Sequence, residues 1–260
     1  MEISSTTPLA FQGGVSKVER CTLSTGRDVF RKTGEPAAIA REINSLQNLV
    51  NSSRIVKTPQ LVAAGDKWLA TAWLEGTNLA EQFAKAADDD ERIAICERFG
   101  SVLCASTAIS SQTPESESTF DTVFDRLEAA VHVAADRVIN DPDSFIHGHA
   151  IGDVWRDVIA DAGSIVPEIR YCQGDWCLPN VMMHGKDASE LGAIVDWSEA
   201  GWMDWRFCLA DGLWSIGYNS RLAGVNPAVF RMAFLNACDV NDNSIEVTWH
   251  RKLRALMSLI

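Results

Sequence analysis

Residues 171–185, YCQGDWCLPNVMMHG, set an aspartate and an asparagine five positions apart, directly ahead of a short apolar run. A polar turn, HGKDASE, separates that run from a second, LGAIV, which ends at Asp196-Trp197. Two apolar runs around such a turn predict a hairpin. An antiparallel pair puts the residue before its first strand beside the residue after its second, so Asn180 and Asp196 are expected as spatial neighbours. Taken singly, Asp175 and Asn180 read as turn residues bonding the local backbone, and Asp196 as a helix cap. Taken together, two oxygen-bearing side chains at adjacent strand ends suit a hard cation. Mg²⁺ in particular is held by one or two protein oxygens, waters and substrate phosphates. Asp175, on the loop before them, is placed to meet a substrate hydroxyl.

The remainder of the chain bounds what such a site can serve. With 260 residues, 47% of them hydrophobic and 22% charged, the composition is that of an ordinary folded globular protein. A net charge of −12 argues against nucleic acid as a partner, because phosphate binding needs clustered Lys and Arg. No apolar run approaches the roughly 20 residues of a membrane span. The opening MEISSTTPLA lacks the basic-then-apolar pattern of an export signal, so a cytoplasmic location is expected. The seven cysteines are odd in number and form no CxxC pair, which argues against a disulfide framework or a zinc site and for reduced thiols.

Along the chain, residues 11–32 read as two strands around the turn STGRD. GEPAAIAREINSLQNLV reads as a helix opened by Pro36, with Ile39, Ile43, Leu46 and Val50 as its inward stripe. TPQLVAAGD and KWLATAWLEG are two further strands closed by Gly76. Beyond that point the pattern is mainly helical, in DDERIAICERFGSVLCAST and FDTVFDRLEAAVHVAADRVI. The composition shift near Gly76 predicts an α+β chain of two closely packed lobes, 1–75 and 76–260. Five tryptophans, at 176, 197, 202, 205 and 214, read as core or stacking surface rather than a substrate cage.

CQGDWCLPNVM followed by AIVDWSEAGWMDWRFCLAD resembles the catalytic loop and metal segment of the aminoglycoside phosphotransferase family. Within it, GDWCLPN is especially similar to the 3'-phosphotransferases. These are small-molecule kinases, and the resemblance implies a bilobal protein-kinase-like fold. An antiparallel N-lobe sheet with one helix would precede a mainly helical C-lobe carrying the catalytic-loop hairpin. It further implies that Asp175 accepts or orients the acceptor hydroxyl's proton, and that Asn180 and Asp196 hold Mg²⁺. Lys32, closing the strand VFRK, would fix the phosphates of ATP or GTP, oriented by Glu42 of the following helix. Gly13, Gly14 and Ser16 of QGGVSKV would cover those phosphates with backbone amides. The backbone of Ala72 and Leu74, in ATAWLEG, would bond adenine. In isolation Lys32 is an ordinary strand-end lysine and Glu42 an exposed helix residue; the shared register favours the functional reading.

Departures from the family pattern fall on the loop and on the acceptor side. Gln173 stands where the family usually has His, where Gln can still support the loop by hydrogen bonding. Cys208 stands where an Asp commonly braces the loop, and Glu199 where Arg is frequent. DPDSFIHGHAIGD keeps Asp141 and Asp143 of a denser acidic run, so these two and Glu199 are the candidate substrate residues. The C-terminal HRKLRALMSLI carries Arg251, Lys252 and Arg254 where the 3'-enzymes are acidic, which weakens a polycation site. The expected acceptor is a small hydroxylated molecule, cationic if it is an aminoglycoside-type antibiotic, as in a resistance kinase. The alternatives are a metabolic kinase for a sugar, amino alcohol or other antibiotic, and a nucleotide-binding pseudokinase with a regulatory role.

Overall fold

The computed structural model describes residues 2–9, 16–52, 57–107, 119–184, 190–257 and 259. In chain order the first elements are β1 (Ile3–Pro8), β2 (Lys17–Leu23), β3 (Asp28–Thr33), α1 (Pro36–Ser52), β4 (Leu61–Gly65), β5 (Trp68–Ala72) and β6 (Thr77–Asn78). Then come α2 (Leu79–Lys85), α3 (Asp89–Thr107), α4 (Thr119–Ala134), α5 (Ile151–Ala162) and β7 (Ile169–Cys172). A 3₁₀ turn, Leu178–Asn180, leads into β8 (Val181–His184), β9 (Glu190–Ile194), β10 (Gly201–Asp204), α6 (Arg206–Ala223), α7 (Ala228–Ala237) and α8 (Ile245–Met257). The chain divides into two compact units, one of residues 1–78, 173–175 and 180–201, the other of the rest.

In the first unit β1–β5 form an antiparallel sheet in the order β1-β2-β3-β5-β4. Val29, Cys21 and Ala70 are buried on one face. Side chains alternate along a strand, so Lys32, three residues after Val29, points to the other face. There α1 packs on β4 and β5 through the buried Ile39, Leu46 and Leu49. The inward stripe differs from the one periodicity predicts: Ile43 is half-buried, and Glu42 takes the inward position instead. A helix rotates about 100° per residue, so one residue moves the stripe by that angle. An ion pair described below holds the carboxylate there. Val50's side chain lies outside the described residues. β1 is an edge strand that nothing in the sequence announced, because five of its six residues are exposed and no apolar alternation marks it. The predicted hairpin is β8–β9, joined by β6 into a second sheet of the same unit.

The second unit is mainly helical. Leu127, Val131, Ile151, Val154, Val158 and Leu253 lie at the centre of a core built from α4, α5 and α8. Phe99 of α3 stacks on the fully buried Trp176 at 5.5 Å. Trp205 is buried too, and in the first unit so is Trp197. Trp202 and Trp214 are only half-buried; Trp202 meets Tyr171 edge-on and Trp214 stacks on Tyr218. Helix α4 stops at Ala134, short of the predicted run to Ile139. Val138 instead bridges to Ala150, and Ile139 N–H donates to the His149 carbonyl at 2.9 Å. A tertiary pairing thus overrides helix periodicity at that end.

Asp204 anchors this unit. Its carboxylate is 1% exposed and accepts from Arg206 Nε at 2.8 Å, from the Arg206 backbone at 3.1 Å and from the Glu168 N–H at 3.2 Å. His250 Nε2 lies 3.4 Å away. Burial pushes the Asp204 carboxyl up, but His250 and Arg206 more than offset this and hold it well below the usual carboxylate range. A carboxyl depressed in the folded state stabilises above its unfolded pKa, about 3.9, and that contribution fades as pH falls toward the folded value. Asp204→Asn is expected to cost about 3 kcal/mol in urea unfolding at pH 7, since it leaves Arg206 buried without its counter-charge. The cost should shrink progressively below about pH 4. A loss under about 0.5 kcal/mol, as at an ordinary surface site, would refute the assignment.

Candidate active site

Lys32, on β3, and Glu42, one turn into α1 beyond the stripe residue Ile39, face each other across the first unit. Lys32 Nζ donates to Glu42 Oε2 at 3.0 Å and to Asp196 Oδ1 at 2.6 Å. The Trp197 backbone N–H donates to the other Glu42 oxygen at 3.3 Å. Both Lys32 and Glu42 are 5% exposed. Burial pulls the Lys32 pKa down, but the two facing carboxylates more than offset it and raise it. Glu42 is raised, first by burial and against the pull of Lys32, with Asp196 adding to the rise. Two carboxylates on one ammonium leave an uncompensated negative charge beside the partly exposed Asp196, which a cation would neutralise.

Asp196 follows β9 with φ +57°, a left-handed conformation in which aspartate is among the few non-glycine residues tolerated. Its Oδ1 also accepts from Ser198 Oγ at 2.8 Å, so among the described residues Lys32 and Ser198 both bond one oxygen and the second is left for another partner. Arg41 of α1 closes the segment from outside, donating from Nε to the Ser198 carbonyl at 2.9 Å and pairing with Glu199 at 3.2 Å. Neither Ser198 nor Arg41 was foreseen. Arg41 stands beside Glu42 in the sequence, yet nothing local says that it reaches residues 157 positions away.

Asp175 and Asn180 are held as a pair. Asn180 Nδ2 donates to the Asp175 carbonyl at 2.8 Å and to Asp175 Oδ2 at 3.0 Å, which fixes the amide and leaves Oδ1 as its acceptor oxygen. The Val195 N–H donates to the Asn180 carbonyl at 2.9 Å, so the hairpin sets the two strand ends side by side as expected. Asn180 and Asp196 each offer a hard oxygen donor, the chemistry by which Mg²⁺ would be held with phosphates and waters. Among the described residues no group of three or more His, Cys, Asp or Glu forms a self-sufficient metal cage.

Gln173 links the two halves. It is 2% exposed; Oε1 accepts the Asp175 N–H at 2.9 Å, and Nε2 donates to the Val195 carbonyl at 3.1 Å and to the Asp196 carbonyl. One amide therefore supplies both a donor and an acceptor, tying the Asp175 backbone to that of Asp196. Gly174 between them has φ +90°, and a Cβ there would lie 2.0 Å from the Glu199 carbonyl oxygen, so only glycine lets the loop pass. Gln173→Ala should lower kcat about 10–100-fold with a smaller change in nucleotide KM, because it orphans buried backbone groups worth about 1–3 kcal/mol. Unchanged kcat would show that the link is dispensable.

Of the nucleotide-side residues, Gly13 and Gly14 lie outside the described residues. Ser16 is half-buried beside Gly34; a Cβ on Gly34 would lie 2.8 Å from its Oγ. After β5, a cleft of about 410 Å³ is lined by Trp73, Leu74, Glu75, Gly76, His184 and Gly192. The Ala72 N–H is already donated to the Gln60 carbonyl at 2.8 Å. Trp73 packs under the Arg20 guanidinium, 4.5 Å from its ring centre.

The acceptor-side carboxylates fall in different units. Glu199 belongs to the first unit, half-exposed and paired with Arg41. Asp141 and Asp143 belong to the second, where Asp141 accepts from Trp214 Nε1 at 2.7 Å. Asp143 is buried and holds Arg221 with three hydrogen bonds of 2.8–3.1 Å. Cys208 is buried in α6, and nearby Asp211 pairs with Arg254 at 2.9 Å.

A strand lysine held by a helix glutamate and by the aspartate after a hairpin, with a Gly-Asp loop and an asparagine at the hairpin's other end, defines a protein-kinase-like fold equipped as a small-molecule kinase. The chain belongs to the phosphotransferase enzyme family (APH), whose model matches residues 13–239. It is a phosphotransferase acting on a hydroxyl group. Solved structures share the fold at low identity. An aminoglycoside-3'-phosphotransferase of type VIII is 18% identical, with 96% of this chain and 93% of that one covered at a TM-score of 0.69. Aminoglycoside phosphotransferase APH(3'')-Id from Streptomyces rimosus, in complex with ADP and streptomycin, is 16% identical, with 97% and 92% covered and a TM-score of 0.67. Wild-type aminoglycoside 2'-phosphotransferase-IIIa, in its GDP complex, is 15% identical, with 100% and 84% covered and a TM-score of 0.65. No curated protein sequence matches the chain.

Proposed function

We propose that the protein is a Mg²⁺-dependent phosphotransferase that moves the γ-phosphate of ATP or GTP to a hydroxyl of a small molecule, with an aminoglycoside-type antibiotic as the first candidate. The observation that carries this is the single network Lys32–Glu42–Asp196, joined through Gln173 to Asp175 and Asn180. Phosphoryl transfer needs positioning and charge neutralisation rather than covalent chemistry from the protein. Asp175 orients the acceptor hydroxyl and receives its proton. Lys32, held by Glu42, fixes the nucleotide phosphates. Asn180 and Asp196 hold Mg²⁺, which when bound neutralises charge on the transferred group. The cleft after β5 takes the nucleobase, with the Ala72 carbonyl and the Leu74 backbone as its bonding edge, and the loop of Gly13, Gly14 and Ser16 covers the phosphates. The reading assigns residues 1–75 to the nucleotide and 76–260 to catalysis and the acceptor. It places the enzyme in the cytoplasm, where both nucleotides are abundant; no helix among the described residues is long and apolar enough to cross a membrane.

A second reading, a metabolic kinase for a sugar, amino alcohol or other antibiotic, is favoured by the fate of the acidic residues. Asp141 and Asp143 are committed to Trp214 and Arg221, and α8 carries Arg251, Lys252 and Arg254. Of the three carboxylates proposed to meet a cationic acceptor, Glu199 is the one most exposed. Phosphate transfer from labelled ATP and GTP onto panels of aminoglycosides, sugars and amino alcohols separates the readings. Turnover with an aminoglycoside supports the first and with an uncharged alcohol the second. Tight nucleotide binding with no turnover on any acceptor would indicate a pseudokinase.

A further inference from the structure

In the second unit the loop before α5 and the helices α6, α7 and α8 line a cavity of about 10 Å³. That is the space of one water-sized group, such as a single oxygen of a larger ion. Three arginines face it, Arg231 of α7 with Arg251 and Arg254 of α8, beside the rings of Phe145 and Trp214. Each guanidinium is set in place by its neighbours. Arg251 lies over Phe145 and Arg254 over Trp214, both 4.1 Å from the ring centre. Arg251 Nη1 donates to Asp242 at 2.9 Å, and Arg254 Nε to Asp211 at 2.9 Å. Arg231 Nε donates to the Leu213 carbonyl at 3.0 Å, and its Nη2 to the Asp143 carbonyl at 3.1 Å. A Cβ on Gly217 of α6 would lie 2.2 Å from that Nη2, so the bare helix position makes room for the guanidinium. Stacking on aromatic faces and bonding through a rigid fork orient arginine in advance of any ligand.

The charges around the cavity are not matched one to one. Arg251 and Arg254 each have a carboxylate, and the Asp143 carboxylate is taken by three bonds from Arg221. Asp141 accepts from Trp214 Nε1. Arg231 bonds backbone carbonyls and forms no ion pair among the described residues. Burial pulls its pKa down by more than Asp143 and Asp242 raise it. Burial likewise pulls Arg251 down, to about 10, with Asp242 opposing the fall and the like charge of Arg231 adding to it. Two guanidiniums that repel across a small, poorly solvated space are both stabilised by a negative charge placed between them. Their N–H groups match the oxygens of a carboxylate or phosphate. The phosphoryl transfer described above uses none of these three arginines.

We propose that Arg231, Arg251 and Arg254 form a binding site for the oxyanion group of a small molecule, a carboxylate or a phosphate, with one oxygen seated in this cavity. The remainder of the ligand stays outside, because the space takes a single such atom. The exposed Phe145 ring puts that side of the cavity at the protein surface. The site is independent of the kinase reading and holds whether or not the chain transfers phosphate.

The full-length chain is titrated by calorimetry with inorganic phosphate, with acetate and with chloride, at constant ionic strength. Saturable binding of phosphate or acetate is expected, tighter than that of chloride. Arg231→Gln should weaken it about tenfold or more, since the charge is removed while an amide remains to bond the Leu213 or Asp143 carbonyl. Tighter binding of phosphate than acetate assigns the site to a phosphate group, and the reverse to a carboxylate. No saturable binding of either, chloride bound as tightly, or equal affinity in Arg231→Gln would overturn the proposal. Should the variant fail to fold, phenylglyoxal labelling of wild-type arginines, mapped by mass spectrometry, decides. Protection of Arg231, Arg251 and Arg254 by phosphate or acetate, relative to the exposed Arg156, supports the site. Unchanged relative rates overturn it.

Discussion

Asp175→Ala is expected to lower turnover about 10³-fold, in the middle of the range for a general base, while the nucleotide dissociation constant changes by less than about twofold. The separation of the two effects follows from the hydrogen bonds. Asn180 keeps its bond to the carbonyl of residue 175 when the carboxylate is gone, so the amide stays oriented for the proposed metal. Gln173 likewise bonds the backbone N–H of residue 175, not its side chain, so the loop stays tied to Val195 and Asp196. What disappears is the carboxylate proposed as the proton acceptor. Turnover within about tenfold of wild type would sink the role given to Asp175. A parallel loss of nucleotide affinity would instead show that the carboxylate shapes the nucleotide site.

Asp196→Asn tests the metal side and is expected to remove both turnover and the Mg²⁺-dependent part of nucleotide binding. Asparagine is the informative substitution because it tolerates the left-handed backbone at φ +57°, where alanine would add strain. Its amide oxygen can still accept from Lys32 and Ser198, so the local network survives while the charge on the proposed metal ligand is lost. Metal-borne charge stabilisation is worth several kcal/mol, so turnover should fall roughly 10³-fold or more. Calorimetry with nucleotide in the presence and absence of Mg²⁺ checks the mechanism. The wild-type chain should bind more tightly with Mg²⁺ and the variant should not. Equal Mg²⁺ enhancement in both would remove Asp196 from the metal site.

Much of the geometry of this candidate site could be read from the chain because its parts are local. Asp175, Asn180 and Asp196 fall within a loop and one hairpin, and strand pairing over so short a span follows from the apolar pattern and the turn. Lys32 and Glu42 were placed by the resemblance of the catalytic loop, not by their own surroundings, since a lysine ending a strand and a glutamate in a helix are ordinary residues. Helix α1 shows the limit. Periodicity put Ile43 inward, whereas the folded chain turns Glu42 inward because Lys32 and the Trp197 N–H are there to receive it. Pattern scores apolar side chains and is blind to a carboxylate whose burial depends on a partner elsewhere.

The sequence by itself determined the hairpin and the alternation of strands and helices, because these depend on turn chemistry and on the periods of strand and helix. The kinase loop was legible through its resemblance to a known family. Only the tertiary structure decided which polar groups are spent on one another. It joined Lys32 to Asp196 across 164 positions and Arg41 to Ser198 across 157, gave Gln173 two backbones to bridge, and committed Asp143 to Arg221 and Asp204 to Arg206. A buried charge is stable only with its partner, and a partner so distant in the chain becomes visible only when packing has set the distance.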